Sequence, residues 1–125
     1  DLQKKVRRAM TFRGSRYIQI DTPCPSVWGF PTDRTLEVGR LGVQSGLIPL
    51  FEMEGGAIVH VRKIKKPVPV TDYLQTQKRF KHLLATAEGK DKIEEIQALA
   101  DKNIAQYGLV GKSEDREEAG DSDEA

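Results

Sequence analysis

Apolar residues recur at helical spacing at both ends of the chain and cluster into short strand-like runs between them. Leu2, Val6, Ala9 and Met10 stand at i, i+4, i+7 and i+8, one face of a helix over Asp1 to Met10. Lys4, Lys5, Arg7 and Arg8 take the rest of that surface, and Gly14 supplies a break. Tyr17-Ile18-Gln19-Ile20 then has strand character, which predicts a strand over Ser15 to Asp21. A helix feeding a strand is half of an α/β unit, so the expected fold class is α/β with a parallel sheet.

The next pattern predicts a helix from Arg34 to Ser45, with Thr32 or Asp33 as N-cap and Gly46 as terminator. Leu36, Val38, Leu41 and Val43 are its apolar residues, and Gly39 and Gly42 allow close packing against a neighbour. Ile48 to Met53 and Ala57 to Arg62 read as paired strands joined around Glu54-Gly55-Gly56, with Pro49 confined to an edge or a strand start. Arg62-Lys63-Ile64-Lys65-Lys66 followed by Pro67-Val68-Pro69 reads as an extended basic arm across a surface. A helix capped by Thr71 or Asp72 is expected to run to about Leu84, and Gly89 to interrupt the chain. A last helix from Asp91 to Tyr107 aligns Ile93, Ile96, Ala100, Ile104 and Tyr107 on one stripe, ended by Gly108.

Composition changes this picture in two places. The net charge of +1 over 125 residues hides an acidic terminus: Glu114 to Ala125 hold seven acids against Arg116, which leaves the preceding residues seven charges positive. A basic body with an acidic tail fits an anionic partner, a tail that screens the body, or simple solubility. The tail has almost no apolar residue and is expected to be disordered. The single cysteine cannot form an internal disulfide, and no apolar run approaches the ~20 residues needed to span a bilayer. A reducing cytoplasm is the default location. The chain opens in mid-helix without a methionine, as a piece of a longer polypeptide would.

Candidate chemistry centres on Thr22 to Pro31, which contains the only cysteine, the only tryptophan and three of the six prolines. Cys24 lies three residues past Asp21, at the carboxyl end of the expected strand, where open α/β sheets bind ligands. A lone cysteine of this kind is a metal-cluster ligand, a reactive thiol, or a small buried hydrophobe. Cys-Pro recurs at the final ligand of ferredoxin-type cluster motifs, which need four thiolates in all. The two histidines, His60 and His82, have no acidic partner at ligand spacing and read as solvent-facing, so no zinc site is expected. Glu52/Glu54 and Glu94/Glu95 read as solvated faces rather than acid/base pairs. Lys78, Arg79 and Lys81 extend the basic surface of Arg62 to Lys66. It lacks the interleaved aromatics of a nucleic-acid module, and docking of an acidic protein or another subunit fits it as well. There is no phosphate-binding glycine loop.

Several motifs in order carry a resemblance. They are Pro23-Cys24-Pro25-Ser26-Val27-Trp28-Gly29-Phe30, then Thr35-Leu36-Glu37-Val38-Gly39-Arg40-Leu41, then Ser45-Gly46-Leu47-Ile48-Pro49-Leu50-Phe51-Glu52 and Glu54-Gly55-Gly56. Lys66-Pro67-Val68-Pro69-Val70, Tyr73-Leu74 and Gln77-Lys78-Arg79-Phe80-Lys81-His82-Leu83 follow. From about Asp1 to Gly108 the chain resembles the C-terminal part of the β subunit of 2-oxoacid:ferredoxin oxidoreductases, pyruvate synthase type. The resemblance implies an enzyme that uses thiamine diphosphate and Mg²⁺ to decarboxylate a 2-oxoacid oxidatively, forms the acyl-CoA and sends electrons through iron–sulfur clusters to ferredoxin. It implies that Cys24 is the fourth ligand of a 4Fe–4S cluster, while the other three cysteines and the thiamine-binding residues lie in the N-terminal part of the subunit. Pyruvate is the substrate it favours, with 2-oxoglutarate or an aryl glyoxylate as alternatives. The expected partners are the other subunits of the complex and ferredoxin or a similar acceptor, with neither nucleic acid nor a membrane span. The expected organisation is residues 1–47 as the end of a thiamine-diphosphate-type α/β domain with the ligand loop, 48–112 as hairpin, basic arm and C-terminal helices, and 113–125 as acidic tail. The alternative from another class is a non-catalytic assembly or docking module with a basic arm.

Overall fold

The structure, a computed structural model, describes residues 2–111. The acidic tail expected over 113–125 lies outside the described residues. Helix α1 spans Leu2–Thr11, α2 is the single turn Pro25–Trp28, and α3 spans Thr35–Gln44 behind a 3-10 turn, Thr32–Arg34. Strands β1 (Phe51–Glu54) and β2 (Ala57–Val61) follow, then α4 (Val70–Leu74), a 3-10 turn (Lys78–Phe80), α5 (Lys81–Ala85) and α6 (Ala87–Tyr107). Helix and strand are thus mixed, as an α/β reading requires.

The core forms where α3, α4 and α6 meet. Val38 from α3, Val70, Tyr73 and Leu74 from α4, and Ala100 from α6 are buried together with Phe30. Each of the fully buried Val38, Val70 and Leu74 side chains contributes roughly 1.5–3 kcal/mol by leaving water. Gly42 lets the elements close up, since a Cβ there would stand 2.6 Å from Ile48 Cδ1 and 3.2 Å from Tyr73 Cε2. Ile93 and Ile96 of the expected stripe pack on this core, and Tyr107 stacks on Phe51 with ring centroids 4.8 Å apart.

The hairpin forms as its glycines dictate. Gly55 and Gly56 take φ of 58° and 85°, the left-handed pair a two-residue turn between right-twisted strands needs. The strands pair antiparallel from Phe51↔Val61 to Glu54↔Ala57, with a register shift between Glu52 and Met53. Glu52 and Glu54 are not merely solvated: Arg8 of α1 pairs with both, and Lys5 comes within 3.9 Å of Glu52. The polar side of α1 therefore ties to the hairpin, while Leu2, Val6 and Met10 remain exposed.

Several expectations fail, some for tertiary and some for local reasons. The segment Ser15 to Asp21 is extended but belongs to no sheet, and the sheet present among the described residues is the antiparallel hairpin, not a parallel one. A strand exists only by pairing its N–H and C=O groups with a neighbour, and no described strand reaches Tyr17, Ile18 or Ile20, all exposed. Neither Thr32 nor Asp33 caps α3; the 3-10 turn leads into it through Arg34. The helix expected from Thr71 to Leu84 is broken: Gln77 is extended, and the Lys78 N–H donates to the Gly29 carbonyl at 3.2 Å instead of closing a helical turn. Thr71 and Asp72 do not cap it either; the Val70 N–H takes the Gln97 side-chain oxygen of α6 at 2.9 Å. Gly89 interrupts nothing and sits inside α6, whose N-cap Thr86 accepts the Gly89 N–H at 3.0 Å.

The basic arm is pinned at Lys63 and Ile64 and again at Val68, whose N–H donates to the Gln44 carbonyl at 3.2 Å. Ile64 is buried and its N–H donates to Leu109 O at 2.8 Å. Lys63 Nζ donates to Gly108 O at 2.6 Å, a cation at the negative end of α6. Lys65 and Lys66 stay exposed.

Candidate functional site

Cys24 is a free thiol on a half-buried residue, placed where the unpaired extended segment turns into α2. Its backbone is extended (φ −108°, ψ 105°), and Pro25 occupies the first helical position, where a missing N–H costs nothing and a fixed φ helps. The Cys24 carbonyl accepts the Trp28 N–H at 2.9 Å. The Pro25 carbonyl accepts from Gly29 at 2.9 Å and from Phe30 at 3.2 Å. Gly29, at φ 74°, ends the turn in the left-handed region. Two prolines, three backbone hydrogen bonds and a buried Phe30 hold the thiol-bearing loop at both ends.

A second segment clamps this loop from the side. A Cβ on Gly29 would stand 2.7 Å from Lys78 Cβ, so the two backbones touch where Lys78 N–H reaches Gly29 O. The guanidinium of Arg79 lies 3.8 Å over the Trp28 ring and 4.6 Å over that of Phe80. Its Nε donates to Gln77 Oε1 at 2.9 Å, and the buried Gln77 is fixed in turn by donating to Tyr73 O at 2.8 Å. Trp28 also meets Phe30 at 6.2 Å with a 59° tilt. On the other side of the loop a groove of about 260 Å³, mostly apolar, is lined by Ile18, Ile20, Pro23, Trp28, Val43 and Leu50 among others.

The loop can present one thiolate, the form that binds metal or attacks electrophiles. Among the described residues no three His, Cys, Asp or Glu side chains come close enough together to hold a metal ion. His60 on β2 and His82 on α5 are exposed, as the sequence led one to expect. Glu94 and Glu95 face solvent on α6, with Glu95 bound to Lys92 at 2.7 Å. The resolved proton-affinity shifts belong to such surface pairs. The Arg34 guanidinium, hydrogen-bonded at 2.6 and 2.7 Å, holds Glu37 below the ordinary carboxylate value. Glu37 raises Arg34 reciprocally, and Glu95 raises Lys92. The sequence reading missed Arg79 as a neighbour of the loop, placing it in a basic patch. The available signal was the lone tryptophan, a preferred partner for an arginine face.

No family model matches the chain. Individual proteins do. It is 48% identical over 109 residues to the pyruvate synthase subunit PorB of Methanosarcina barkeri, an alignment covering 87% of this chain and 37% of that protein. Against PorB of Methanocaldococcus jannaschii the identity is 38% over 87% of this chain and 35% of the relative. The ketoisovalerate oxidoreductase subunit VorB of Pyrococcus abyssi is 40% identical over 66% of this chain and 27% of its own length. The chain spans about a third of the length of these relatives. Over most of its own length, the chain is thus related to a part of the pyruvate synthase subunit PorB.

Proposed function

We propose that this chain is part of the β subunit of a 2-oxoacid:ferredoxin oxidoreductase, in which Cys24 is one ligand of a 4Fe–4S cluster. The observation that carries the reading is the similarity to PorB across the whole region that holds the loop and its clamp. The donor chemistry fits: a thiol is the standard cluster ligand, and Cys24 is unbonded to another sulfur and half-buried. One thiolate is a quarter of what such a cluster needs, so three ligands come from the remainder of the subunit. Thiamine diphosphate and Mg²⁺ belong there too.

When bound, thiamine diphosphate supplies the decarboxylating chemistry, CoA takes the acyl group and the clusters carry electrons one at a time to ferredoxin. This chain's residues set the conditions for one of those steps. Pro23 and Pro25 offer no N–H to the sulfur between them, and Phe30 anchors the loop in the core. Fewer hydrogen bonds to a cluster sulfur lower the potential, which suits delivery to a low-potential acceptor. The complex is cytoplasmic in this reading; no described helix is long and apolar enough to cross a membrane.

Pyruvate is the favoured substrate, because PorB of Methanosarcina barkeri is 48% identical over 87% of this chain, against 40% over 66% for VorB of Pyrococcus abyssi. The test is dye reduction by the intact complex, isolated through a tag on this subunit, with each 2-oxoacid and CoA. Rapid CoA-dependent reduction with pyruvate is expected. Turnover with ketoisovalerate, 2-oxoglutarate or an aryl glyoxylate alone would move the substrate, and none with any would overturn the reading.

A further inference from the structure

We propose that Arg79 is a positioning residue for Cys24: its guanidinium, stacked on Trp28, fixes the loop and places a permanent positive charge beside the thiol's turn. The inference rests on the cluster-ligand reading above. Its geometry stands independently of it. Trp28 is one helical turn after Cys24 and is bound to it by the 2.9 Å N–H···O=C hydrogen bond. Whatever holds the indole therefore holds the peptide that carries the thiol. Arg79 covers the indole face at 3.8 Å, beside the contacts Trp28 makes with Phe30 and the core.

That guanidinium is not a free surface cation. Buried Gln77 accepts from its Nε at 2.9 Å, the Tyr73 hydroxyl lies 3.5 Å from its terminal nitrogen, and Phe80 stands 4.6 Å away on the same element. Arg79 itself is exposed, but Gln77 is 2% exposed and Tyr73 6%, so its fork rests on two core side chains. An arginine is required in a way a lysine is not, because only a flat, delocalised cation stacks while its edge donates. The break in the chain at Gln77, which ends the helix the sequence alone predicts, is what brings Arg79 to this place.

Two consequences follow for a cluster on Cys24. A fixed cation nearby favours the more negative, reduced state, so removing it lowers the reduction potential. Loosening the indole also widens the range of thiol orientations, so the ligand geometry becomes heterogeneous.

The experiment uses the intact complex with Arg79→Met, Arg79→Lys and Cys24→Ser, read by EPR-monitored redox titration and iron analysis. The expected result for Arg79→Met is unchanged iron content, a lower potential and a broader signal for the same cluster that Cys24→Ser alters. Arg79→Lys is expected to restore the potential and not the line width, since it returns the charge without the fork. A second readout avoids the cluster. In the intact complex stripped of its clusters by a chelator, the alkylation rate of Cys24, followed by peptide mapping, is expected to rise roughly fivefold, the factor a contact of this class carries, in Arg79→Lys, which keeps the charge that favours the thiolate and loses the stacked fork. Unchanged potential and line width in Arg79→Met, with an unchanged alkylation rate in Arg79→Lys, overturn the inference while leaving the ligand reading standing. No cluster change in Cys24→Ser overturns the ligand reading and with it the redox consequence, and the alkylation rate alone then decides whether Arg79 positions the loop.

Discussion

Gly89→Ala sets two physical effects against each other, and the structure says which wins. Gly89 lies in the first turn of α6, where alanine is the better helix former by up to about 1 kcal/mol. On propensity alone the substitution would stabilise the chain. A Cβ at this position would stand 2.1 Å from the Leu83 carbonyl oxygen, 2.6 Å from its carbon and 2.7 Å from its Cα. Ordinary carbon contacts need about 3.5–4.0 Å, so α5 and α6 must separate by more than an ångström. The obstacle is backbone, so no rotamer change relieves it. A 2.1 Å approach to backbone belongs at the upper end of the roughly 1–3 kcal/mol that overpacking costs, which leaves a net loss of about 2 kcal/mol after the propensity gain. Urea unfolding of the 125-residue chain followed by circular dichroism measures it. The midpoint is expected to fall by about 0.7–2 M at unchanged slope, given a slope of about 1–3 kcal/mol per molar for a domain of this size. A midpoint equal to or above that of the unsubstituted chain would show that α5 does not approach α6 as described.

Two further outcomes are expected. Thr86→Ala removes the side-chain oxygen that accepts the Gly89 N–H at 3.0 Å and should lower stability by about 1 kcal/mol in the same assay; Thr86→Ser should restore most of it. The Arg34–Glu37 pair tests the opposite expectation. Glu37 has a folded pKa below its unfolded value, so whatever the pair contributes is present above the unfolded value and fades as pH falls through the folded one. Both side chains are nearly half exposed and screened by solvent. Glu37→Gln should therefore leave the urea midpoint at pH 7 and its acid dependence within error, and a marked drop at pH 7 that vanishes near pH 3 would contradict this.

What the sequence disclosed was what each segment decides for itself. Gly55-Gly56 specifies its own turn, Gly108 its own helix end, and the stripe from Ile93 to Tyr107 its own buried face. What it concealed depends on residues far apart in the chain. Ser15 to Asp21 has the composition of a strand, but composition cannot supply the neighbour that a ladder needs. The region from Thr71 to Leu84 has helical periodicity throughout, yet Lys78 spends its N–H on Gly29, some fifty residues earlier, and the helix ends. Gly89 reads as a breaker by propensity and acts as a spacer, because the atom it spares belongs to Leu83 of the preceding helix. The site shows the same division. Pro23-Cys24-Pro25 was visible as a stiff loop, and its kinship was visible in the order of the motifs. Arg79 over Trp28 left no trace in spacing, only the hint of a lone tryptophan that an arginine face prefers.

The central claim is that Cys24 holds a cluster. Cys24→Ser in the intact complex, examined by EPR and iron content, tests it most directly. The account predicts that one 4Fe–4S signal is lost or converted while the others persist, with slowed electron transfer to ferredoxin. Unchanged iron and an unchanged set of cluster signals would contradict it.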